Sequence, residues 1–555
     1  MGENKFVTAS KYKPYQLQYK RLLEYAVRTF PKEEIVYRDE FRYTYKEFYN
    51  RLKRLANVLE SLGIGKGDVV GTIDWNTHWH MELYNAIPCM GAILHPINPR
   101  LSYAHIEYII NHAEDKILFV GSDYVPLLED LQDKLKKVKC FVIVGEREVE
   151  TKLENAYFYE DLMKEASSDY EFPELNEDTV FSICYTSGTT GLPKGAWFTH
   201  KQAVIHTLSW GTFLGSLYGL SSDDVILHIV PMYHVHSWGL PFIALVMGQK
   251  QVFPGRLTPE IVWKLIEKER VTYTSMVATV LRMLLDYPEL EKCKISSLRH
   301  ITIGGGPLPR GLLDEAKKKF KELGADVEIK NSSGMTEAFP ILTISIIKKH
   351  LRERSWDEKA DLYRRAGIPG ILVDLRVVDD ELKDVPKDGK TVGKLVYQAP
   401  WITPGYLKNP EKSEEAWEGE WWHTGDLAVW DEEGYIDITD REKDVIKSGG
   451  EWISSLRLEE LISTHPGVAE VCVVGIHHAK WQERPVALVV LRPEYRGKIN
   501  EEDIKNYLAE NFVPNKIPKW WLPDKIIFVS EIPKTGVGKY DKKVIRDSYK
   551  DIFFA

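Results

Sequence analysis

The chain has 555 residues, 44% of them hydrophobic and 28% charged, which is too long for a single core and well enough mixed to be globular in several domains. A formal net charge of -9 without any long basic run repels nucleic acid and anionic lipid, so neither is an expected partner. The five cysteines, Cys89, Cys140, Cys184, Cys293 and Cys472, are scattered and never form a Cys-x-x-Cys pair, which argues against a disulfide framework or a zinc ribbon. The N-terminal stretch is charged from Glu3 and has no apolar h-region, and the apolar runs are too short to span a bilayer; a cytoplasmic location without integral membrane association is expected.

In chain order, Thr44 opens a helix through a capping box to Glu47, and Phe48, Leu52, Leu55, Leu59 and Leu62 then recur at helical spacing until Gly63. Val69–Ile73 reads as a buried strand, and the helix-then-strand rhythm returns near residues 105–120 and 130–144, which predicts α/β architecture with mostly parallel sheets. From about residue 370 the pattern changes to short strands and turns, including a hairpin over residues 427–440 around Asp431-Glu432-Glu433-Gly434. Beyond Lys443 the pattern predicts a compact α+β unit with strands at 470–476, 485–491 and 525–529 and a helix at 501–511. The expected division is a large N-terminal domain over residues 1–440, with a small β-barrel-like subdomain from about 370, and a mobile α+β domain over 441–555.

Residues 185–195 read Tyr-Thr-Ser-Gly-Thr-Thr-Gly-Leu-Pro-Lys-Gly. The hydroxyls of Thr186, Ser187, Thr189 and Thr190, the glycines including Gly188, and Lys194 suit a polyphosphate cradle, because glycine lets backbone N–H groups approach and lysine adds charge. The spacing fails the Walker A pattern, and a strand-like stretch at 196–199 follows where a P-loop has a helix.

This loop resembles the signature of the adenylate-forming superfamily of acyl-CoA synthetases, adenylation domains and luciferases, and further motifs follow in the family's order over nearly the whole chain. Asn331-Ser332-Ser333-Gly334-Met335-Thr336-Glu337 is similar to the family segment in which the threonine contacts phosphate and the glutamate, with Thr186, holds Mg2+. Ser333 stands where the family usually has an aromatic ring to stack on adenine. Gly304-Gly305-Gly306 resembles the glycine turn beside adenine and acyl-adenylate, and Thr424-Gly425-Asp426 the ribose site. Asp440 to Asp444 resembles the hinge, in which Arg441 reaches the nucleotide and the backbone of Lys443 rotates; Lys447 is also placed among the nucleotide contacts. Ser448, Gly449, Gly450 and Trp452 resemble the loop lining the pantetheine tunnel of CoA. Lys539, which ends Pro533-Lys534-Thr535-Gly536-Val537-Gly538-Lys539, resembles the lysine that bridges the substrate carboxylate and the α-phosphate.

On the substrate side, His234, Val235 and Trp238 occupy the family's acyl-pocket motif, with Gly304, Gly305 and Met335 opposite. Trp238 resembles the gating tryptophan of bacterial long-chain fatty acyl-CoA synthetases, the subfamily nearest in motif. His78 and His80, like His234 and His236, form His-x-His pairs without a third metal ligand nearby in sequence. The resemblance implies catalysis by Lys539, Thr336, Glu337 and His234; ATP, CoA and a carboxylic acid as small-molecule substrates; and a homodimer. The expected acid is aliphatic, short- to long-chain, with short, medium or hydroxylated acids favoured. A luciferase-like oxidoreductase and an acyl-loading module for a carrier protein stay open as alternatives. Trp210 follows Thr199 on a helix whose face holds Ala203, His206 and Thr207. It either closes a long acyl tunnel or packs in the core.

Overall fold

The computed structural model describes residues 9, 11–145, 149–186, 192–512, 517–535 and 539–553. The fold is α/β, with two large, mostly parallel sheets, a smaller antiparallel sheet and a C-terminal α+β unit.

The capping box at Thr44 forms as the sequence implies. The Thr44 hydroxyl accepts from the Glu47 N–H, the Glu47 carboxylate accepts in return, and the helix Tyr45–Ser61 buries Phe48, Leu52, Leu55 and Leu59 along one stripe. Val69–Ile73 pairs in parallel with Ile93–Pro96 and Ile117–Gly121 inside a sheet that ends at Val180–Tyr185 and Gly195–Thr199. The second repeat of the rhythm is abbreviated. Only the short helix Val125–Glu129 and two 3₁₀ turns, Ser122–Tyr124 and Gln132–Lys134, precede the strand Cys140–Val144. Pro126 in the first turn suits a helix start, and Leu128, Leu131 and Leu135 are buried along this stretch although it does not continue as one helix.

The other large sheet carries Tyr273–Met276, His300–Ile303 and Glu328–Gly334 in parallel, with Ile341–Ile344 returning antiparallel. In such sheets ligands collect beyond the carboxyl ends of the strands. The residues that leave these ends are Val277, the triplet Gly304–Gly306 and Met335, while Thr186 leaves the end of Val180–Tyr185 in the first sheet.

The antiparallel sheet contains Asp374–Val378, Gly393–Gln398, Trp417–Glu418, Trp421–Trp430 and Ile436–Arg441, the last two forming the expected hairpin. The next strand, Ile446–Ser448, already belongs to the C-terminal sheet with Glu451–Ile453, Val468–His478, Gln482–Leu491 and Lys525–Phe528. Its core is Ile446, Leu458, Ile462, Val473, Ala487 and Ile504, separate from the N-terminal cores. Among the described residues no helix is long and apolar enough to cross a membrane.

Candidate active site

Thr186 and Lys194 close the neck of the phosphate loop: the Thr186 N–H donates to the Lys194 carbonyl at 2.9 Å, and the Lys194 N–H to the Thr186 hydroxyl at 3.2 Å. Ser187, Gly188, Thr189 and Thr190 lie outside the described residues. The flanking strands Val180–Tyr185 and Gly195–Thr199 pair antiparallel. The Lys194 ammonium sits 4.1 Å from the ring centroid of Tyr406, and the Tyr406 hydroxyl donates to Glu337 Oε1 at 2.8 Å. One oxygen of Glu337 is thereby fixed. A carboxylate with one nearby hydroxyl suits Mg2+, which keeps most of its waters and takes further oxygens from substrate phosphates. Thr336 and Glu337 share the 3₁₀ turn Thr336–Ala338, anchored where the Thr403 N–H donates to the Glu337 carbonyl at 2.7 Å.

The opposite wall is built from close approaches. A Cβ on Gly304 would lie 2.7 Å from the Trp238 ring and 2.7 Å from the Ser332 hydroxyl, which itself donates to the Ile303 carbonyl. Gly305 has φ +75° and leaves space for the end of Lys539, whose Cε would be 3.1 Å from a Cβ there. Asn331 donates its side-chain N–H to the Arg364 carbonyl at 2.9 Å, and its buried Oδ1 has no partner among the described residues. Ser333 pairs with Thr343 across the sheet, so this wall carries a hydroxyl and no aromatic ring at that position.

Lys539 reaches this cleft from the C-terminal unit. Burial lowers its pKa to about 8, the charge of Arg441 adds to the effect, and Asp426 and Glu337 oppose it. His234 borders the same space; burial first and the Lys539 charge second push its pKa down to about 3, so the ring is neutral. Asp426 is raised by desolvation and partly restored by Arg441, whose Nε lies 3.4 Å from its Oδ1. Asp426, Arg441, Glu337, His234 and Lys539 thus converge on one cleft.

Two family profiles match the chain, an AMP-binding enzyme over residues 23–407 and the AMP-binding enzyme C-terminal domain over 457–539. The chain belongs to the AMP-binding enzyme family. A long-chain-fatty-acid–CoA ligase of Thermus thermophilus is 42% identical over 96% of this chain and 95% of its own length. A 3-methylmercaptopropionyl-CoA ligase of Ruegeria lacuscaerulensis is 36% identical over 96% and 97%. The fold matches the crystal structure of the anthranilate CoA ligase AuaEII in complex with anthranoyl-AMP, with TM-score 0.85, 23% identity and coverage of 99% and 100%. This AMP-binding enzyme is an acid–thiol ligase of the AMP-forming kind.

The segment 235–239 of this AMP-binding enzyme adopts an unusual backbone. Val235, His236, Ser237, Trp238 and Gly239 all have positive φ, a left-handed turn that costs roughly 1–2 kcal/mol for each L-residue. Side chains from distant segments hold it. Asn76 donates to the His228 and Val230 carbonyls at 2.6 and 2.8 Å and accepts from the Met232 N–H at 2.8 Å, and Ser237 donates to the Val230 carbonyl at 2.7 Å. His236 turns back to the Ser182 hydroxyl at 2.8 Å and the Cys184 sulfur at 3.3 Å. Its nitrogens therefore do not join those of His234 as a polar acyl lining. The left-handed turn sends neighbouring rings to different sides.

Trp210 is fully buried, donates its indole N–H to the Ile341 carbonyl at 3.1 Å and packs flat against Gly370, which is a core position. His78 sits among Tyr37, Phe41 and Trp79, whereas His80 bonds the Thr72 hydroxyl and the Trp75 carbonyl, so the pair does not face a common point.

Gly449 and Gly450, at φ +61° and +89°, form the tight turn of a hairpin between Ile446–Ser448 and Glu451–Ile453. Trp481 covers Gly449, Ser448 accepts from Arg484 at 3.0 Å, the Lys447 N–H donates to Glu483 at 2.8 Å, and Trp452 is exposed. Lys443 is exposed on the segment leading to this sheet. Tyr406 and Asn76 have no motif of their own. The only hint in sequence was the short turn Thr403-Pro404-Gly405-Tyr406.

Proposed function

We propose that this ligase converts a short- or medium-chain aliphatic acid, hydroxylated acids included, to its acyl-CoA through an acyl-adenylate, with Mg-ATP and CoA as co-substrates. The observation that carries the reading is Lys539, brought from the C-terminal unit to lie across Gly305 between His234 and the Asp426–Arg441 pair.

In the first half-reaction an oxygen of the carboxylate attacks the α-phosphorus of Mg-ATP in line, and the bond to pyrophosphate breaks. Little covalent chemistry falls to the protein, so positioning and charge stabilisation dominate. Lys539 supplies positive charge where negative charge develops. Lys194 offsets the charge of the departing pyrophosphate, Glu337 would hold the Mg2+ that supplies further positive charge there when bound, and Asp426 accepts from the ribose hydroxyls. His234, neutral in its buried position, offers a hydrogen bond to the carboxylate without competing for its charge. In the second half-reaction the C-terminal unit turns about Lys443, withdraws Lys539 and presents the Gly449-Gly450 turn. The CoA sulfur then attacks the acyl carbon, AMP leaves, and the thiol proton passes to solvent.

Trp238, whose ring lies where a Cβ on Gly304 would clash, is the side chain proposed to set how far an acyl tail enters. Pyrophosphate release measured across acids of graded length, with and without CoA, tests the reading. Acid-dependent release with CoA-dependent thioester formation, peaking at short or medium acids, is expected. Release that no acid stimulates would refute the function, and a peak at long acids would refute the chain-length assignment.

A further inference from the structure

The contacts that seat the C-terminal unit are concentrated away from the reacting groups. Glu315, on the helix Arg310–Glu322, lies between two guanidinium forks. Arg282 of the N-terminal part meets its oxygens at 2.8 and 2.7 Å, and Arg492, which follows the strand Gln482–Leu491 of the C-terminal unit, meets the same oxygens at 3.3 and 2.6 Å. Desolvation pushes the Glu315 carboxyl up, and the two arginines overcome this and hold it at about 2. Beside it Arg364 reaches Glu460 of the helix Ser455–Ser463 at 2.5 Å. Arg364 also donates to the Leu308 carbonyl at 3.1 Å and accepts the Asn331 side chain on its own carbonyl, so this second ion pair is tied to the nucleotide-facing wall. Between the pairs the backbones nearly touch: a Cβ on Gly311 would lie 2.6 Å from the Ser463 carbonyl oxygen.

We infer that Arg282–Glu315–Arg492 and Arg364–Glu460, closing over Gly311, form an interdomain latch that holds Lys539 in the cleft for adenylate formation and must open before thioester formation. The inference rests on the two-arrangement reading above and names the residues that set its balance. Each part is suited to reversible closure. The pairs are partly exposed, with Arg492 26% and Glu315 32% accessible, so water can replace each partner on opening. Glu315 keeps Arg282 when Arg492 departs, so opening leaves no buried carboxylate unpaired. Arg492 and Glu315 are positioning residues, acting on the chemistry only through the seat of Lys539.

Two variants test the latch independently. Arg492→Gln removes the C-terminal cation while Glu315 stays paired with Arg282. Gly311→Ala suits the helix that carries it but drives a methyl into the Ser463 carbonyl. Both should slow ATP–pyrophosphate exchange about threefold to tenfold, the scale expected for a partly exposed ion-pair network. Transfer from a supplied acyl-adenylate to CoA should be unchanged or faster. Amide hydrogen exchange over residues 310–322 and 455–463, measured without substrate, should quicken in both variants. A parallel fall in the two half-reactions, or amide exchange identical to wild type, would overturn the latch. If the wild-type chain releases no pyrophosphate with any acid, the proposed function fails and the amide-exchange arm alone decides the latch.

Discussion

The Tyr406 hydroxyl donates to Glu337 Oε1 at 2.8 Å while the Lys194 ammonium rests 4.1 Å from the centre of the same ring. One phenol thereby orients a carboxylate and a cation contributed by two different sheets. Burial raises the Tyr406 pKa, with the Glu337 charge adding to it, so the phenol stays a donor at every working pH.

Tyr406→Phe should therefore raise KM for Mg-ATP and slow ATP–pyrophosphate exchange roughly tenfold or more, since a hydrogen bond to a charged group contributes about 1.5–3 kcal/mol. Transfer from a supplied acyl-adenylate should change little. Exchange kinetics at varied Mg-ATP check this; a wild-type KM would show that Glu337 holds its position unaided.

Lys539→Ala should abolish exchange yet spare transfer from supplied acyl-adenylate, because in the proposed cycle the lysine faces the site only in the first arrangement. Loss of both steps together would contradict that assignment.

The lowered pKa of Lys539 also predicts opposite pH trends for chemistry and docking. The cation is needed for adenylation, so kcat/KM for exchange should fall as pH rises through about 8. The undocked lysine titrates near its ordinary 10.5, so docking is penalised fully below about 8 and the penalty is relieved between there and 10.5. Bound ATP adds negative charge and should move the limb seen in kcat to higher pH. A pH profile of kcat/KM flat from 7 to 9, values on either side of the predicted midpoint, would exclude Lys539 as the titrating group.

What could be read from sequence was what is written locally. The Thr44–Glu47 and Thr199–Gln202 capping boxes and the turn at Gly434 depend on neighbours within a few residues, and their positions followed from spacing. The fixing of Glu337 by Tyr406 spans 69 residues, the grip of Asn76 on Met232 spans 156 and the meeting of Glu315 with Arg492 spans 177. No periodicity encodes such pairs, because they arise only when separate sheets are stacked. The left-handed turn at 235–238 was also illegible, since a run of Val, His, Ser and Trp gives no cue for positive φ.

Trp238→Ala should widen the acyl end of the cleft, because its ring presses on Gly304. Acids too long for the wild-type site should gain, each newly buried methylene contributing about 0.8 kcal/mol to kcat/KM. Rates that fall equally on all acids would place the pocket floor elsewhere.

Trp210 supplies the contrasting case, and the two tryptophans together separate pocket from core. Its helix begins at the Thr199–Gln202 capping box, as the sequence implies, and turns Trp210 inward. The indole N–H is satisfied by the Ile341 carbonyl, and the ring fills the space over Gly370, where a Cβ would lie 2.7 Å from its edge. Removing it leaves a cavity beside Phe213, 5.0 Å away, and takes this donor from the Ile341 carbonyl. Trp210→Ala should therefore cost roughly 3–5 kcal/mol of stability, the usual loss for a buried aromatic. A smaller ring such as Phe should recover part of it, although not the hydrogen bond. Thermal unfolding and kcat/KM across acids of graded length, measured on the same preparations, give the decisive comparison. The expected result is a lowered Tm with the ratio of kcat/KM between long and short acids unchanged. A selective gain on long acids at wild-type Tm would return Trp210 to the tunnel and remove Trp238 as the residue that sets its depth.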